Sequence, residues 1–298
     1  MTGSYHIGAH AYEATGMPPG LYLVATPIGN LGDITLRALQ TLAGCTWVYC
    51  EDTRVTGKLL ERYGIRTPMR NYHEHNAAKV RPDIVAAIEK GAAVALVSDA
   101  GTPLISDPGF KLVAACVDGG LLVTSMPGAS AVLTGLQLSA LPTDRFAFQG
   151  FMPEKESQRL KALQSIKSHT ITSVYYESPH RVLATLIDIS AVLGDRPVVA
   201  ARELSKLHEE VLRGPAMVIH ATLAARASIK GEFVLVIGPA KDVAEPPDDA
   251  AIEAAIVAAL ENLPASKAAA TVAKALRLPK QDIYARILKR KIDGANQA

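Results

Sequence analysis

Short apolar runs alternate with amphipathic stretches from Gly20 to Gly238. Residues 20–25, 47–50, 93–97 and 121–124 have the length and character of buried strands. Each run opens into a loop and then into residues with helical spacing. Asp33 stands as a cap before Ile34, Leu36, Leu39 and Leu42, and a helix runs from the Glu51-Asp52-Thr53-Arg54 corner to about residue 63. A polar link over 71–76 precedes a helix through Lys90, and further helices follow the loops at 98–109 and 125–131. This alternation predicts a parallel sheet covered by helices on both faces. Ligands bind such sheets outside the carboxyl ends of the strands.

The pattern changes segment near residue 141. Residues 145–151, 170–176, 197–201 and 231–238 predict strands, with a short extended piece at 209–212. Helices are predicted over 154–166, from 181 to 193, and over 215–225. Ala244-Glu245-Pro246-Pro247-Asp248-Asp249 has the composition of a linker. Beyond it, residues 250–292 are rich in alanine. A helix capped by Ser266 and ending near Leu276, a Leu278-Pro279 turn and a helix over 282–291 suggest a helix-turn-helix. Residues 1–19 predict a polar, disordered leader. The expected organisation is therefore a leader at 1–19, α/β domains at 20–140 and 141–243, and a basic helical tail at 250–298.

Three strand-end loops, 26–33, 98–109 and 125–131, share one chemistry. They are built from Gly, Pro and small residues, and none contains Lys or Arg. If their strands are neighbours, the loops line one pocket. The central loop is Ser98-Asp99-Ala100-Gly101-Thr102-Pro103-Leu104-Ile105-Ser106-Asp107-Pro108-Gly109. A loop that cradles polyphosphate brings a basic side chain, as a P-loop does. This one offers carboxylates and backbone groups, so its ligand is hydroxylated or positively charged. The first strand is not followed by GxGxxG, which disfavours a dinucleotide site. Asp99, in the last turn after its strand, points into the crevice. Asp107, just before Pro108, is expected to cap the next helix.

Composition refines this picture. The 298 residues suit two domains and are 49% hydrophobic. With 31 basic and 29 acidic residues the net charge is only +2, so contact with nucleic acid must come from local patches. One such patch is the tail, with Lys267, Lys274, Arg277, Lys280, Arg286, Lys289, Arg290 and Lys291. It is expected to dock on RNA phosphates; a solvated helical hairpin is the other reading. Cys45, Cys50 and Cys116 lack CxxC spacing and fit buried thiols in a reducing cytoplasm. No apolar run is long enough for a membrane span. His73 and His75 have no evident third ligand, so no metal is expected.

Seven ordered motifs carry a family resemblance. They are Ala25-Thr26-Pro27-Ile28-Gly29-Asn30-Leu31, Glu51-Asp52-Thr53-Arg54, the 98–109 loop, Pro127-Gly128-Ala129-Ser130, Tyr176-Glu177-Ser178-Pro179-His180-Arg181, Ala201-Arg202-Glu203-Leu204 and Gly231-Glu232. Together they resemble the small-subunit ribosomal RNA methyltransferase I family of the tetrapyrrole methylase superfamily, from about residue 20 to the C-terminus. The resemblance implies two α/β domains with S-adenosylmethionine in the cleft between them. It also implies a homodimer and methylation of the ribose 2′-oxygen of a decoding-centre cytidine in 16S rRNA.

The cofactor carries a sulfonium, an ammonium, a carboxylate and a ribose diol but no phosphate, which suits the predicted pocket. The residues expected to bind it are Pro27, Asp99, Gly101, Thr102, Leu104, Ser130, Ala131, Tyr176 and Ala201. For catalysis the expected residues are Glu177, Arg202, Glu51 and Arg54. Asp52, His73 and Glu203 are further candidate bases, and Arg181 and Lys206 could serve phosphate or alkoxide. Internal ion pairs, Glu51 with Arg54 and Arg202 with Glu203, are the structural alternative. Two rival functions stand beside this one: a tetrapyrrole C-methyltransferase, weakened by Thr26-Pro27-Ile28-Gly29-Asn30 where that group carries GxGxGD, and an RNA-binding assembly factor without catalysis.

Overall fold

The computed structural model describes residues 3–240, 248–276 and 278–295, with side chains described to residue 290. Most of the predicted linker, together with Arg277 and the Lys291 side chain, lies outside the described residues. The chain forms two compact units, divided after Ala240.

Residues 3–19 correct an expectation. Instead of a disordered leader, β1 (Ser4–Ile7) and β2 (His10–Glu13) form an antiparallel hairpin around Gly8 at φ +61. Tyr5 stacks on Tyr12 and sinks into the first core. Only one of the eight strand residues is buried, so the pattern carries little hydrophobic signal.

The first half then follows the predicted alternation: β3 (Gly20–Val24), α1 (Leu36–Gly44), β4 (Trp47–Cys50), α2 (Thr53–Arg62), β5 (Met69–Asn71), α3 (Ala77–Glu89), β6 (Ala93–Leu96), α4 (Phe110–Asp118), β7 (Val123–Met126) and α5 (Ala131–Leu138). Thr35 caps α1 through its hydroxyl, and Asp52 caps α2 through its carboxylate. The sheet is parallel throughout, in the order β5-β4-β6-β3-β7. Alternate residues feed its two faces. Tyr22, Val24, Val48 and Ala95 pack with Leu39 and Leu42 of α1, while Leu21, Tyr49, Val94 and Leu96 pack with Ile84, Ile88 and Leu112. Cys45, Cys50 and Cys116 are all buried thiols.

Two details depart from the sequence pattern. β7 starts two residues later than predicted, because the amide of Leu121 is used to close α4 on the Cys116 carbonyl. Residues 69–71, partly inside the predicted polar link, form the edge strand β5, whose exposed side chains give no apolar signal.

The second half comprises β8 (Phe146–Phe151), α6 (Glu156–Ser165), β9 (Thr172–Glu177), α7 (Val182–Leu193), β10 (Pro197–Arg202), β11 (Glu210–Pro215), α8 (Ala216–Ala224) and β12 (Phe233–Ile237). Its sheet is mixed, in the order β11-β10-β12-β9-β8, and only β8 and β9 pair in parallel. One face buries Leu163, Leu186, Ile189 and Ile219 from its helices. The other face presents Val174, Val199, Val234 and Val236 to Ile28, Val132 and Leu136 of the first half. The two halves thus share one apolar cluster. α5 lies close to β12: a Cβ at Gly135 would stand 2.7 Å from Val234 Cγ1.

The second unit holds α9 (Asp249–Asn262), α10 (Ala265–Leu276) and α11 (Lys280–Ala295) around Ile252, Ile256, Ala269, Val272, Ile283 and Ile287. The predicted helical pair is therefore part of a three-helix unit. Part of its positive charge is answered internally, by Arg286 with Asp249 at 2.8 Å and Arg290 with Glu253 at 3.4 Å. Among the described residues no helix is long and apolar enough to cross a membrane.

Overpacking a close contact typically costs about 1–3 kcal/mol. Gly135→Val is expected to lower stability by that amount through the shared cluster. Urea denaturation checks it, and an unchanged midpoint would mean that α5 does not bear on β12.

Candidate active site

The sheet order places β3 between β6 and β7, so the loops after these three strands meet at one rim. Backbone hydrogen bonds fasten them. Thr26 N donates to Gly101 O at 2.9 Å, and Gly101 N donates to Thr26 O at 3.0 Å. The Thr26 hydroxyl donates to Ser98 O at 3.1 Å, and the Thr102 hydroxyl to Ala129 O at 3.2 Å. Gly101 takes φ +81, which a side chain would strain. Leu104 and Ser106 take φ +72 and +70 despite carrying side chains. Such conformations cost of order 1–3 kcal/mol each and gather at functional sites. Two more, Glu203 at +51 and Ser205 at +66, lie on the facing loop of the second half.

Between the loops and the second sheet lies a cavity of about 370 Å³. Its walls include Asp99, Gly101, Thr102, Ser130, Ala131, Tyr176 and Glu177, as the sequence predicts. Ser130 also caps α5, so the amino end of that helix opens on the cavity. Three predicted binding residues are not on its walls. Pro27 and Ala201 are buried, each with a neighbour on the wall in its stead: Ile28 for the first, Glu203 and Leu204 for the second. The Leu104 side chain packs on the face of the first sheet that carries Leu96 and Leu112. The pattern missed Ile28, Phe151, Leu204, Phe233 and Val234, since apolar residues at strand ends look like core. Phe148 and Phe151 stack edge-on against Tyr176, with ring centroids at 4.9 and 5.3 Å. Burial and Asp107 push the Tyr176 hydroxyl up to about 12, so it stays protonated.

Asp107 is a second correction. It does not cap α4, whose cap position is Gly109 without a side-chain bond; it lies on the cavity wall instead. Asp99 accepts the Asp52 amide at 3.1 Å. Burial, with Asp107 and Asp99 facing it, pushes the Glu51 carboxyl up to about 7. Burial, with Asp99 nearby and Ser98 opposing, pushes Asp107 up to about 6. Among the described residues Lys206 is the one cation on the cavity walls, and it is held by Glu203 at 2.7 Å and Glu232 at 3.0 Å. The cavity therefore presents carboxylates that lack a counter-charge.

The four residues expected in catalysis are not gathered. Glu177 has a fully buried side chain that accepts the Ser178 amide at 2.7 Å and the Thr185 hydroxyl at 2.5 Å, with Arg181 at 3.1 Å. Its oxygens are committed to the turn before α7. Arg202 is turned to Glu210 at 3.3 Å and to the Lys230 carbonyl at 2.9 Å. Arg54 is exposed and pairs with Asp52 at 2.6 Å, not with Glu51. Of the four, Glu51 alone stands in the carboxylate cluster. His73 and His75 meet edge-on at 5.9 Å, away from the cavity walls.

Glu51 and Asp107 hold protons more tightly in the folded chain than in the unfolded one. Their destabilising effect is absent below about pH 4, grows as pH rises toward 7, and is constant above. Asp107→Asn is expected to raise the urea midpoint at pH 8 and to flatten its decline between pH 4 and 7. A variant as pH-dependent as the wild type would remove Asp107 from the cluster.

Comparison with known proteins fits this geometry. Residues 20–219 match the family model of the Tetrapyrrole (Corrin/Porphyrin) Methylases, and residues 246–291 that of the RsmI C-terminal HTH domain. The chain is 46% identical over 286 residues to the ribosomal RNA small subunit methyltransferase I of Mesorhizobium japonicum, covering 96% of this chain and 97% of that one. It is 49% identical over 282 residues to the protein of the same name from Erythrobacter litoralis, covering 95% and 99%. Among solved structures, uroporphyrin-III C-methyltransferase from Thermus thermophilus complexed with S-adenyl homocysteine matches with a TM-score of 0.50 at 18% identity, over 74% of this chain and 97% of that one. The chain belongs to the tetrapyrrole methylase family, among the ribosomal RNA small subunit methyltransferase I proteins.

Proposed function

We propose that the chain methylates small-subunit ribosomal RNA with S-adenosylmethionine, and that the acceptor is the ribose 2′-oxygen of a decoding-centre cytidine in 16S rRNA. The observation that carries the reading is the cavity itself, rich in carboxylates and with its one cation already paired. A sulfonium and an ammonium are stabilised there, whereas a polyphosphate would be repelled. A volume of about 370 Å³ lies in the range of small-molecule sites. The names of the relatives supply the RNA substrate. They also favour it over tetrapyrrole C-methylation and over RNA binding without catalysis.

The residues divide the work by chemistry. Asp99, at the end of β6, offers its carboxylate to the ammonium or the ribose diol. The amino end of α5, at Ser130 and Ala131, suits the methionine carboxylate. Gly101 and Thr102 let the backbone approach closely. Ile28, Tyr176, Leu204 and Val234 form an apolar wall for the adenine and exclude water. When bound, the cofactor supplies an activated methyl group to an oxygen aligned with the carbon–sulfur bond. The protein's part is alignment and proton handling. Asp107, shifted toward neutrality on the wall, is suited to accept the hydroxyl proton, with Glu51 beside it.

The homodimer belongs to the same proposal. Phe110 and Val117, seven residues apart on α4 and well exposed, give it an apolar face. A cytoplasmic reaction belongs to the proposal as well, with the rRNA substrate as its support. Labelled methyl transfer is expected with 30S subunits or naked 16S rRNA and not with uroporphyrinogen; incorporation into the porphyrin alone would overturn the reading. Asp99→Ala is expected to weaken cofactor affinity at least about tenfold, the loss of one charge-assisted contact. Calorimetry checks it, and unchanged affinity would remove Asp99 from the site.

A further inference from the structure

α2 connects the cavity to a second depression. At its start Asp52 caps the helix, with its own amide held by Asp99. At its end Arg62 and Tyr63 wall a groove of about 830 Å³, together with residues 29–32 of the first half and 205–207 of the second. Lys206 lines both depressions, so they adjoin.

Arg54, Lys58 and Arg62 stand four residues apart on α2, so they share one face, with about 6 Å of rise between neighbours. All three are exposed. Arg54 pairs with Asp52, but among the described residues Lys58 and Arg62 pair with no acid. Of the acids beside the groove, Glu203 and Glu232 pair with Lys206, Asp33 accepts from the Ser205 hydroxyl and Glu209 from the Ser205 amide, and none of them pairs with Lys58 or Arg62. Glu61 is exposed on the neighbouring stripe of the helix. Leu207 stands on the groove wall 93% exposed, with Leu31 opposite at 40%. Arg62 on the groove wall and Lys58 one turn before it on the same helix face, both without a salt-bridge partner among the described residues, continue the apolar wall of Leu207 and Leu31 and match the phosphates and base faces of a nucleic-acid strand.

We infer that this groove binds the single-stranded RNA adjoining the nucleotide to be methylated. Its phosphates lie on Lys58 and Arg62, and a neighbouring base packs against Leu207 and Leu31. Single-stranded RNA is required because the reacting ribose must leave its stack to enter the enclosed cavity. An acidic peptide would satisfy the two cations but would leave the apolar wall in water. The inference rests on the proposed function and deepens it.

The test uses the full-length chain. A Lys58→Ala/Arg62→Ala double variant is expected to weaken binding of a single-stranded oligoribonucleotide about tenfold or more. It should also lower the slope of log affinity against log salt by about 1.4, the value for two phosphates on a single strand. The Lys58→Arg/Arg62→Lys variant should restore both. Leu207→Ala is expected to lose several-fold in affinity with the salt slope unchanged. Cofactor affinity and thermal midpoint should stay at the wild-type level throughout. RNA affinity and salt slope within twofold of wild type in the double variant would overturn the groove, and would leave RNA docking to other surfaces such as the C-terminal helices. Because RNA binding is read directly, a failure of methyl transfer in the wild type would count against the proposed function and not against the groove.

Discussion

Thr26 and Gly101 exchange a pair of backbone hydrogen bonds at the carboxyl ends of neighbouring parallel strands, and the cavity rests on that exchange. Parallel strands that feed covering helices leave their strand-end loops at one rim. Proximity alone would leave those loops free to wander. The short antiparallel bridge converts two of them into one surface, and the Thr102 hydroxyl adds the third through Ala129. Each such bond contributes about 0.5–1.5 kcal/mol net. That is enough to offset part of the cost of holding Leu104 and Ser106 in left-handed backbone conformations.

The first half was legible because its chemistry is periodic. Fully buried strands such as Ala93–Leu96 appear as plain apolar runs, and loops of Gly and Pro mark their ends. The shared, cation-free character of the loops at 26–33, 98–109 and 125–131 points to their common rim from the sequence alone. Legibility fell where side chains meet water or where partners are distant in sequence. The β1–β2 hairpin and the edge strand β5 bury too little to show a period. Arg202 looked available because Glu210, which holds it, comes from the next strand across the sheet. Glu177 reads as a candidate base because it is a carboxylate at a strand end, yet its carboxylate is consumed by Ser178 and Thr185. Asp107 looked like a cap because Pro108 follows it, whereas the unusual backbone from Leu104 to Gly109 turns it to the cavity.

The two sheets contribute differently. The parallel sheet is buried on both faces and supplies the loops and the carboxylates. The mixed sheet supplies an apolar wall and a closing loop, and the cation of that loop is neutralised by its own neighbours, Lys206 by Glu203 and Glu232. Negative potential at the cavity therefore survives, because among the described residues the one cation on its walls is already paired.

Gly29 and Gly231 give this arrangement a lock. A Cβ at Gly29 would stand 2.2 Å from Lys206 Cγ, and one at Gly231 would stand 2.3 Å from Glu203 Cγ. The lysine stem thus occupies a notch left empty by a residue of the other half, as a key fills its ward. Modularity is the casualty. A chimera joining the first half of this chain to a foreign second half would inherit an unfilled slot beside its entrance, unless the newcomer brought a long, slender side chain to the same corner.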